Sequence, residues 1–228
     1  KPIDMPSIFS PHNRIAVIEI DGQIHMGGSG SNFLFGGQHT GSDEVVSILR
    51  NVQKDPTIKG VILRINSGGG SLLASDHIYQ ELSKLRDKEM PIYASLGNVA
   101  ASGGYYIALG ADKIYTNPGT LTGSIGVITE IKDKSEFQKL LGIETEVIKT
   151  GKYLDMMTSH RKITDEETSM FKAFQRKHYE IFVSKVMERR HFTRDEAIEV
   201  AQGQVVIGEK AKELGLVDDI GHFYDVVD

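Results

Sequence analysis

The positions of the apolar residues along the chain follow two different periods. Short, mostly apolar runs bounded by Gly, Pro or Asn predict strands at residues 15–20, 60–65, 91–96, 113–116, 124–129, 145–148 and 205–207. Apolar residues at helical spacing predict helices at residues 42–54, 72–88, 105–109, 134–141, 164–190, 193–203 and 208–214. Strands that alternate with helices in this way predict an α/β fold, a single domain of repeated βα units around a mainly parallel sheet.

Other stretches have no usable period. Residues 1–13 contain three prolines and are predicted to be an extended lead-in, so that residues 14–228 form the domain. Residues 23–41 are predicted to be a Gly-rich loop that carries the apolar run Phe33-Leu34-Phe35. Such a run can mark a substrate rim, a subunit contact or a membrane-facing edge, or it can fold back on the core. Capping-box spacing at residues 40–43 and 164–167 predicts the starts of two helices.

Composition excludes several classes of function. The net charge of −5 leaves no basic surplus to neutralise phosphates, so nucleic acid is not expected as a partner. The chain has no cysteine, and its eight histidines show no ligand spacing, so neither a metal site nor any other cofactor is predicted. No apolar run is long enough to span a bilayer. The chain begins with Lys1 rather than Met, as an excised or processed segment does.

The stretch most suggestive of chemistry is Asn98 to Tyr106, in which Ser102 lies among Ala and Gly between a predicted strand and a predicted helix. Unpaired backbone N–H groups at such a turn favour a developing negative charge, which suits a nucleophile. A purely structural interpretation is that the small residues let a helix pack closely on a sheet, with Ser102 as the helix N-cap.

A second Gly-rich stretch, Ser67 to Ser71, follows the strand predicted at residues 60–65 and precedes a helix. Backbone N–H groups at such a position can bind an anion, so either a phosphate cradle or an oxyanion hole is possible. The Lys-Ser/Thr ending of a P-loop is absent, and the spacing of the glycines does not match that of a dinucleotide-binding loop. A third such stretch, Leu121 to Val127, lies about twenty residues after Ser102.

These three stretches together resemble the signal peptide peptidase A family of Ser–Lys serine peptidases, whose fold is akin to those of Clp protease and crotonase. The resemblance extends from Arg14 to about Asp219. It implies that Ser102 is the nucleophile, that the backbone N–H of Gly69 stabilises the oxyanion, and that Ser124 orients the base. The residues implied to bind substrate are Gly68, Gly70, Thr122 and Gly123.

The chain departs from the family at two positions. Within the segment Thr150 to Met157, the family's general-base lysine falls on Leu154. Lys152 lies two residues away, some 6 to 7 Å along an extended chain, which is too far to replace the missing amine without a backbone shift. The family also usually has a proline where this chain has Gly68. Without the lysine, Ser124 can equally be a turn serine that bonds its own backbone.

The resemblance implies a serine endopeptidase that cleaves hydrophobic, extended peptides such as remnant signal peptides, impaired or inactive here because of Leu154. It also implies a ring-shaped homo-oligomer. The family's catalytic domain lies on the extracytoplasmic side of the cell membrane, held by an N-terminal anchor that would be missing from this chain.

Three alternatives stay open at this point. A catalytic triad of Ser102, His160 and Asp155 is conceivable, because triads are defined by geometry rather than by chain order. A catalytically silent peptide-binding or scaffold subunit on the same fold would also explain Leu154. An enzyme like the acyl-CoA hydratases would share the alternation of strands and helices and the Gly-rich oxyanion loops, although no CoA site is evident.

Overall fold

The computed structural model describes residues 13–31 and 38–227. Residues 1–12 of the predicted lead-in and the Phe33-Leu34-Phe35 run therefore lie outside the described residues. The chain divides into two compact units, one of Lys1–Ile125 with Val183–Asp228 and the other of Gly126–Phe182. The organisation of residues 14–228 as one domain stays a prediction. Among the described residues, no helix is both long enough and apolar enough to cross a membrane.

The first unit is built on a mainly parallel sheet, which confirms the predicted fold class. The strands are β1 Arg14–His25, β2 Gly30–Ser31, β3 Gln38–Gly41, β4 Ile58–Gly70, β5 Ile92–Ala101, β6 Lys113–Thr116, β7 Leu121–Gly123, β8 Val205–Ile207 and β9 Asp219–Ile220. Along its main path the described strands follow the order β2-β3-β1-β4-β5-β6-β9, and β7 and β8 continue the sheet beside the C-terminal half of β5. The pairs β2–β3 and β7–β8 are antiparallel, and the other pairs are parallel.

Helices cover this sheet and bury its apolar side chains. Leu63 of β4, Leu49 of the first helix and Leu82 of the second are fully buried, because these helices present an apolar stripe to the sheet. The helices are α1 Ser42–Lys54, α2 Leu72–Arg86, α3 Gly103–Ala108, α4 Ser135–Leu140, α5 Asp165–Arg190, α6 Arg194–Val200, α7 Gly208–Glu213 and α8 Phe223–Val227. Of these, α4 belongs to the second unit, and α5 begins in it and ends in the first.

The short helix α3 is held at both of its tyrosines and at its C-terminal end. The Tyr105 hydroxyl donates to the Leu216 carbonyl at 2.7 Å, and the Tyr106 hydroxyl donates to Asp76 at 2.6 Å. Burial raises the pKa of both phenols. Arg86 and Arg189 donate to backbone carbonyls of residues 109–111, where the last carbonyls of a helix lack partners. This helix is therefore fixed within the first unit.

Several predicted elements differ from the structure. The segment predicted as a loop, residues 23–41, contains the end of β1 and the strands β2 and β3. Residues 67–70 continue β4 instead of forming a loop. The strand predicted at residues 124–129 lies at Leu121–Gly123, because Gly123 and Ser124 have positive φ and end it. The strand predicted at residues 145–148 is not formed, and the pattern missed β9 and α8.

The capping box predicted before α1 is also wrong. Thr40 turns its hydroxyl to Asp21, where the oxygen accepts from the Asp21 N–H and donates to the Asp21 carbonyl. Gly41 is the N-cap, and α1 still begins at Ser42 as predicted. The threonine therefore joins β3 to β1 instead of capping the helix.

The second unit has an interior of charged groups. Its buried residues are Asp155, Glu167 and Phe182. The Arg161 guanidinium bridges the first two, donating to both Asp155 oxygens at 2.9 Å and to Glu167 at 2.6 and 2.9 Å. Glu167 also accepts from the Thr164 N–H at 2.9 Å, and its own N–H donates to the Thr164 hydroxyl, so the second predicted capping box is confirmed.

This cluster makes the second unit sensitive to acid. Hydrogen bonds from Arg161, with a further one from the Thr164 backbone, lower the pKa of Glu167 from 4.5 to about 2. A carboxylate whose pKa is lowered by folding stabilises the fold fully above its ordinary pKa, and this stabilisation is lost as the pH falls toward 2. We expect backbone amides of residues 155–168 to exchange hydrogen faster at pH 3 than at pH 6, after correction for intrinsic rates. In Glu167→Gln this difference should shrink, and an unchanged difference would contradict the assignment to Glu167.

Candidate functional site

Ser102 lies at the turn that joins β5 to α3, as the sequence predicts. Its backbone has φ 50° and ψ −119°, a combination that side chains disfavour and that costs about 1–3 kcal/mol. The turn is held because the Ser102 N–H donates to the Gly123 carbonyl at 2.9 Å and the Ser102 carbonyl accepts from the Tyr106 N–H at 2.9 Å. A sharp, strained strand-to-helix turn of this kind presents a serine hydroxyl outward.

The hydroxyl of Ser102 is partly exposed, and it forms no hydrogen bond with any residue that the structure describes. Its side chain also makes no capping bond to α3. Ser102 is therefore the N-cap residue of α3, as the structural interpretation predicts, but its side chain does not cap the helix.

Gly69 packs directly against the turn at Ser102. Its φ is +106°, and a Cβ added there would lie 2.8 Å from the Ser102 Cβ and 2.8 Å from the Gly103 nitrogen. Contacts this short are not tolerated, so the end of β4 can approach Ser102 only with glycine at this position. Gly68 and Gly70 flank it on the same strand and are exposed. The structure thus brings Gly69 to the serine, and the Gly70 nitrogen would lie 3.2 Å from a Cβ added at Gly103.

The backbone amides at this junction differ in their availability. The Gly69 N–H, predicted to be the oxyanion donor, donates to the Ser67 hydroxyl at 3.0 Å, and that hydroxyl in turn donates to the Gly22 carbonyl. The Gly103 N–H is the first of α3, so it has no acceptor within the helix. It lies close to both Ser102 and Gly69, and the sequence analysis missed it. Its position directly after a candidate nucleophile that begins a helix is the signal that could have identified it.

The strand β7 fixes the other side of the turn. Thr122 is buried and donates through its hydroxyl to the Ala100 carbonyl at 2.7 Å, while the Gly123 carbonyl accepts from Ser102. These two predicted substrate-binding residues therefore also support β5. Ser124 has φ 50°, and its N–H donates to the Gln204 carbonyl at 2.8 Å. Its hydroxyl has no hydrogen-bond partner in the part of the chain that the structure describes.

Asn66 supports β5 from the neighbouring strand β4, a role that was not predicted from the sequence. Its side-chain oxygen accepts from the Asn98 and Val99 N–H groups at 3.2 and 3.3 Å, where the register between β4 and β5 shifts. No motif identifies this role, because an asparagine directly after a predicted strand is common in turns.

Leu154 belongs to the second unit, in a segment of turns rather than a strand. Its side chain is 70% exposed. Lys152, the nearest lysine along the chain, forms an ion pair with Glu166, which also accepts from the Tyr153 hydroxyl. The hydrogen bond to Glu166 raises the pKa of Lys152 above its ordinary value, so less of this lysine is present as the neutral amine that a general base must be.

The suggested triad lacks its orienting carboxylate. Asp155 accepts from Lys149 at 2.5 Å and from Arg161 on both oxygens, and these cations hold its pKa well below the ordinary value. It forms no hydrogen bond with His160, whose buried Nε2 has no partner among the described residues. Within the second unit, Asp155 therefore serves the ion cluster rather than a histidine base.

The positive φ of Ser102 predicts that a residue with a side chain at this position lowers the stability of the fold. Glycine adopts positive φ without the steric cost that serine or alanine incurs. We expect Ser102→Gly to be more stable than Ser102→Ala by about 1 kcal/mol, measured as the free energy of unfolding in urea. Neither variant should be labelled by a fluorophosphonate at this position, because both lack the hydroxyl. Equal stability of the two variants would mean that the positive φ is not maintained in solution.

The sequence was compared with known proteins. The family model for peptidase family S49 matches residues 84–228. A putative signal peptide peptidase SppA of Enterococcus faecium is 35% identical over 95% of this chain and 62% of its own length. A putative protease of Synechocystis is 35% identical, covering 95% of this chain and 73% of its own length. Protease 4 of Haemophilus influenzae is 34% identical over 96% of this chain, which spans 34% of that protein.

Among solved structures, a mutant of a membrane-bound stomatin-specific protease matches with a TM-score of 0.56 and 18% identity, covering 95% of this chain and 83% of its own. At this identity the likeness concerns the fold alone, and it supports the α/β architecture with a mainly parallel sheet. The family match extends over more than half of the chain and includes the turn at Ser102. The chain belongs to peptidase family S49, the family of the signal peptide peptidases that its sequence resembles.

Proposed function

We propose that this chain is a serine endopeptidase for hydrophobic, extended peptides, such as remnant signal peptides, whose activity is low or absent because Leu154 replaces the base lysine. The observation that carries the proposal is the strained turn of Ser102, packed against Gly69 and followed at once by the Gly103 N–H, which has no acceptor among the described residues. Family membership supports the peptidase chemistry, while the substrate and the impairment are inferences from the residues.

In the proposed reaction, the Ser102 hydroxyl attacks a peptide carbonyl while a base takes its proton. The carbonyl oxygen becomes an oxyanion, for which the Gly103 N–H is a suitable donor. The Gly69 N–H can join it only by leaving or sharing the Ser67 hydroxyl. Each such donor is typically worth about 3 kcal/mol in the transition state. The first unit thus supplies the nucleophile and the electrophilic groups.

The proton acceptor is the group that this chain lacks. In a Ser–Lys dyad the acceptor is a neutral amine, and the side chain of Leu154 has no lone pair. Lys152 is held as a cation by Glu166, and Lys149 is held by Asp155. The raised pKa of Lys152 keeps its amine from acting as a neutral base, and the Lys149 side chain is bonded to Asp155, so Ser102 keeps its proton and its ordinary low reactivity.

Restoring the amine should restore the reaction. We expect Leu154→Lys to increase cleavage of an apolar peptide by at least about a hundredfold, because loss of a general base costs about 10² to 10⁴ in rate. The rate of the variant should rise with pH as the new amine loses its proton. Cleavage is measured by release of a fluorophore from a quenched peptide, and Ser102 labelling by a fluorophosphonate is measured in parallel.

Two controls sharpen this prediction. Ser102→Ala combined with Leu154→Lys should abolish the gain, because the amine alone does not cleave peptides. Lys152→Ala in the original sequence should leave the low activity unchanged. Full activity of the original sequence that survives Lys152→Ala would show that the base lies elsewhere, with His160 as the first candidate.

A catalytically silent peptide-binding or scaffold subunit is the second candidate function. The same absence of a base favours it, together with the Ser102 hydroxyl that is bonded to no described residue. It is distinguished from a slow peptidase by prolonged incubation with peptide, since a silent subunit binds without any Ser102-dependent product. A hydratase-like activity receives no support from the family match, which is to a peptidase family.

We also propose that the chain forms a homo-oligomer, as the resemblance implies. Apolar side chains in the second unit support it, since Phe137, Leu140 and Leu141 on and beside α4 are 59–85% exposed. A ring is the implied arrangement, on the extracytoplasmic side of a cell membrane. Multi-angle light scattering at micromolar concentration should give a mass several times 25.2 kDa, and Leu140→Asp should lower it. A monomeric mass of the original chain would contradict the proposal.

A further inference from the structure

The strand β8 forms an edge of the sheet near the turn at Ser102. It pairs with β7 on one side, and no other described strand lies against its second side. The pairing places Val205 opposite Gly123, which in turn lies opposite Ala101, the residue before Ser102. With strands about 4.8 Å apart, β8 lies about 10 Å from β5, so its outer side is separate from the serine.

The hydrogen bonds of β7 show which groups of β8 point outward. The Gly123 carbonyl accepts from Ser102, so the backbone N–H and carbonyl of residue 123 point toward β5. Successive residues of a strand point their backbone groups to opposite sides, so those of Thr122 point toward β8. Thr122 is opposite Val206, so Val206 bonds inward. The hydrogen bond from the Ser124 N–H to the Gln204 carbonyl agrees with this alternation, since residues 122 and 124 both bond toward β8. The backbone groups of Val205 and Ile207 therefore point away from the sheet.

Three of these outward groups are unpaired. The Val205 N–H, the Val205 carbonyl and the Ile207 N–H have no hydrogen-bond partner within residues 13–31 and 38–227. The Ile207 carbonyl differs, because Ile207 is the N-cap of α7 and its carbonyl accepts the first bond of that helix. Unpaired backbone groups at a sheet edge are a template for a further strand.

The side chains of the same edge are apolar and exposed. Val205 is 52% exposed and Ile207 47%, and Leu121, directly opposite Ile207, is 44% exposed. Residues opposite each other in a sheet share a face, so these three side chains form one row. Gly123 leaves a gap in the row opposite Val205. An occupant of this edge would therefore find a side-chain surface as well as backbone partners.

We propose that the outer edge of β8 binds an extended polypeptide segment with apolar residues at every second position, which adds to the sheet as a further strand. Backbone bonds to Val205 and Ile207 would provide the affinity, and the row of Leu121, Val205 and Ile207 would select apolar side chains. This site does not depend on cleavage. It provides a second place for an apolar peptide, about two strands away from Ser102.

The test uses a variant that removes an outward donor without changing the backbone. Ile207 has φ −78° and ψ 159°, which proline adopts, so Ile207→Pro deletes the N–H and retains an apolar ring. Ile207→Val is the matched control, since it trims the side chain but keeps the N–H. All proteins carry Ser102→Ala so that cleavage does not interfere. The probe is the fluorescein-labelled peptide Lys-Val-Thr-Val-Thr-Val-Lys, and binding is measured by fluorescence anisotropy.

We expect Ile207→Pro to weaken binding about tenfold or more, and Ile207→Val to weaken it less than threefold. Amide chemical shifts of Val205 and Ile207 should move on titration with the peptide. Equal binding by the original chain and Ile207→Pro, or shifts confined to Gly69 and Gly103, would overturn the proposal.

A second measurement leaves the protein unchanged. Two forms of the peptide are N-methylated at alternate amides, one at the valines and the other at the threonines. An added strand uses only one set of alternate amides, so one form should bind and the other should not. Equal binding of both forms would overturn the proposal. Slow exchange of the Val205 and Ile207 amides in the protein without peptide would also overturn it, since the edge would then be covered already, as by a second copy.

Discussion

The close approach of the end of β4 to the turn at Ser102 is the constraint on which the candidate site depends. Glycines at 69, 103 and 104 allow it, since a Cβ at Gly104 would lie 2.7 Å from the Ser67 carbonyl oxygen and one at Gly103 2.6 Å from the Ser75 hydroxyl. Because the two backbones touch, the strained φ of Ser102 is held from several sides at once. A side chain at any of these glycines would force apart the backbones that meet at Ser102.

The chemistry of the family is distributed unequally over the two units of this chain. The first unit contains Ser102, the Gly103 N–H, which has no partner among the described residues, and the supports for both, including the Thr122 hydroxyl on β5 and the anchors of α3. In the second unit, Leu154 lies at the position that the resemblance assigns to the base, and Lys149 and Lys152 form ion pairs with carboxylates. The proposed peptide site does not depend on a base for binding, because backbone amides and apolar surfaces bind without any proton transfer.

The sequence predicted the fold class and most of the elements, and the reasons for its failures are physical. Elements with a strong period or a clear end, such as α1, β6 and β8, match the structure at both bounds. Residues 67–70 were misassigned because glycine-rich sequence has no period, although its backbone pairs with β1. At the site, the serine and its glycines are local features and were predicted. The support from Asn66 and the bond that occupies the Gly69 N–H depend on distant strands, which no local pattern reveals.

The second unit differs from the first in what stabilises it. A unit with only one apolar residue among its buried positions gains little from the hydrophobic effect, so the bridge of Arg161 between Asp155 and Glu167 has a larger share in its stability. Buried charges stabilise a fold only when all their partners are in place, and here Lys149 and Thr164 complete the cluster. Apolar side chains such as Leu140 and Ile148 meanwhile stay exposed, at 85% and 93%. Covering them would add the apolar burial that this unit lacks, and this is the physical reason for expecting the unit to be more stable in an assembly than alone.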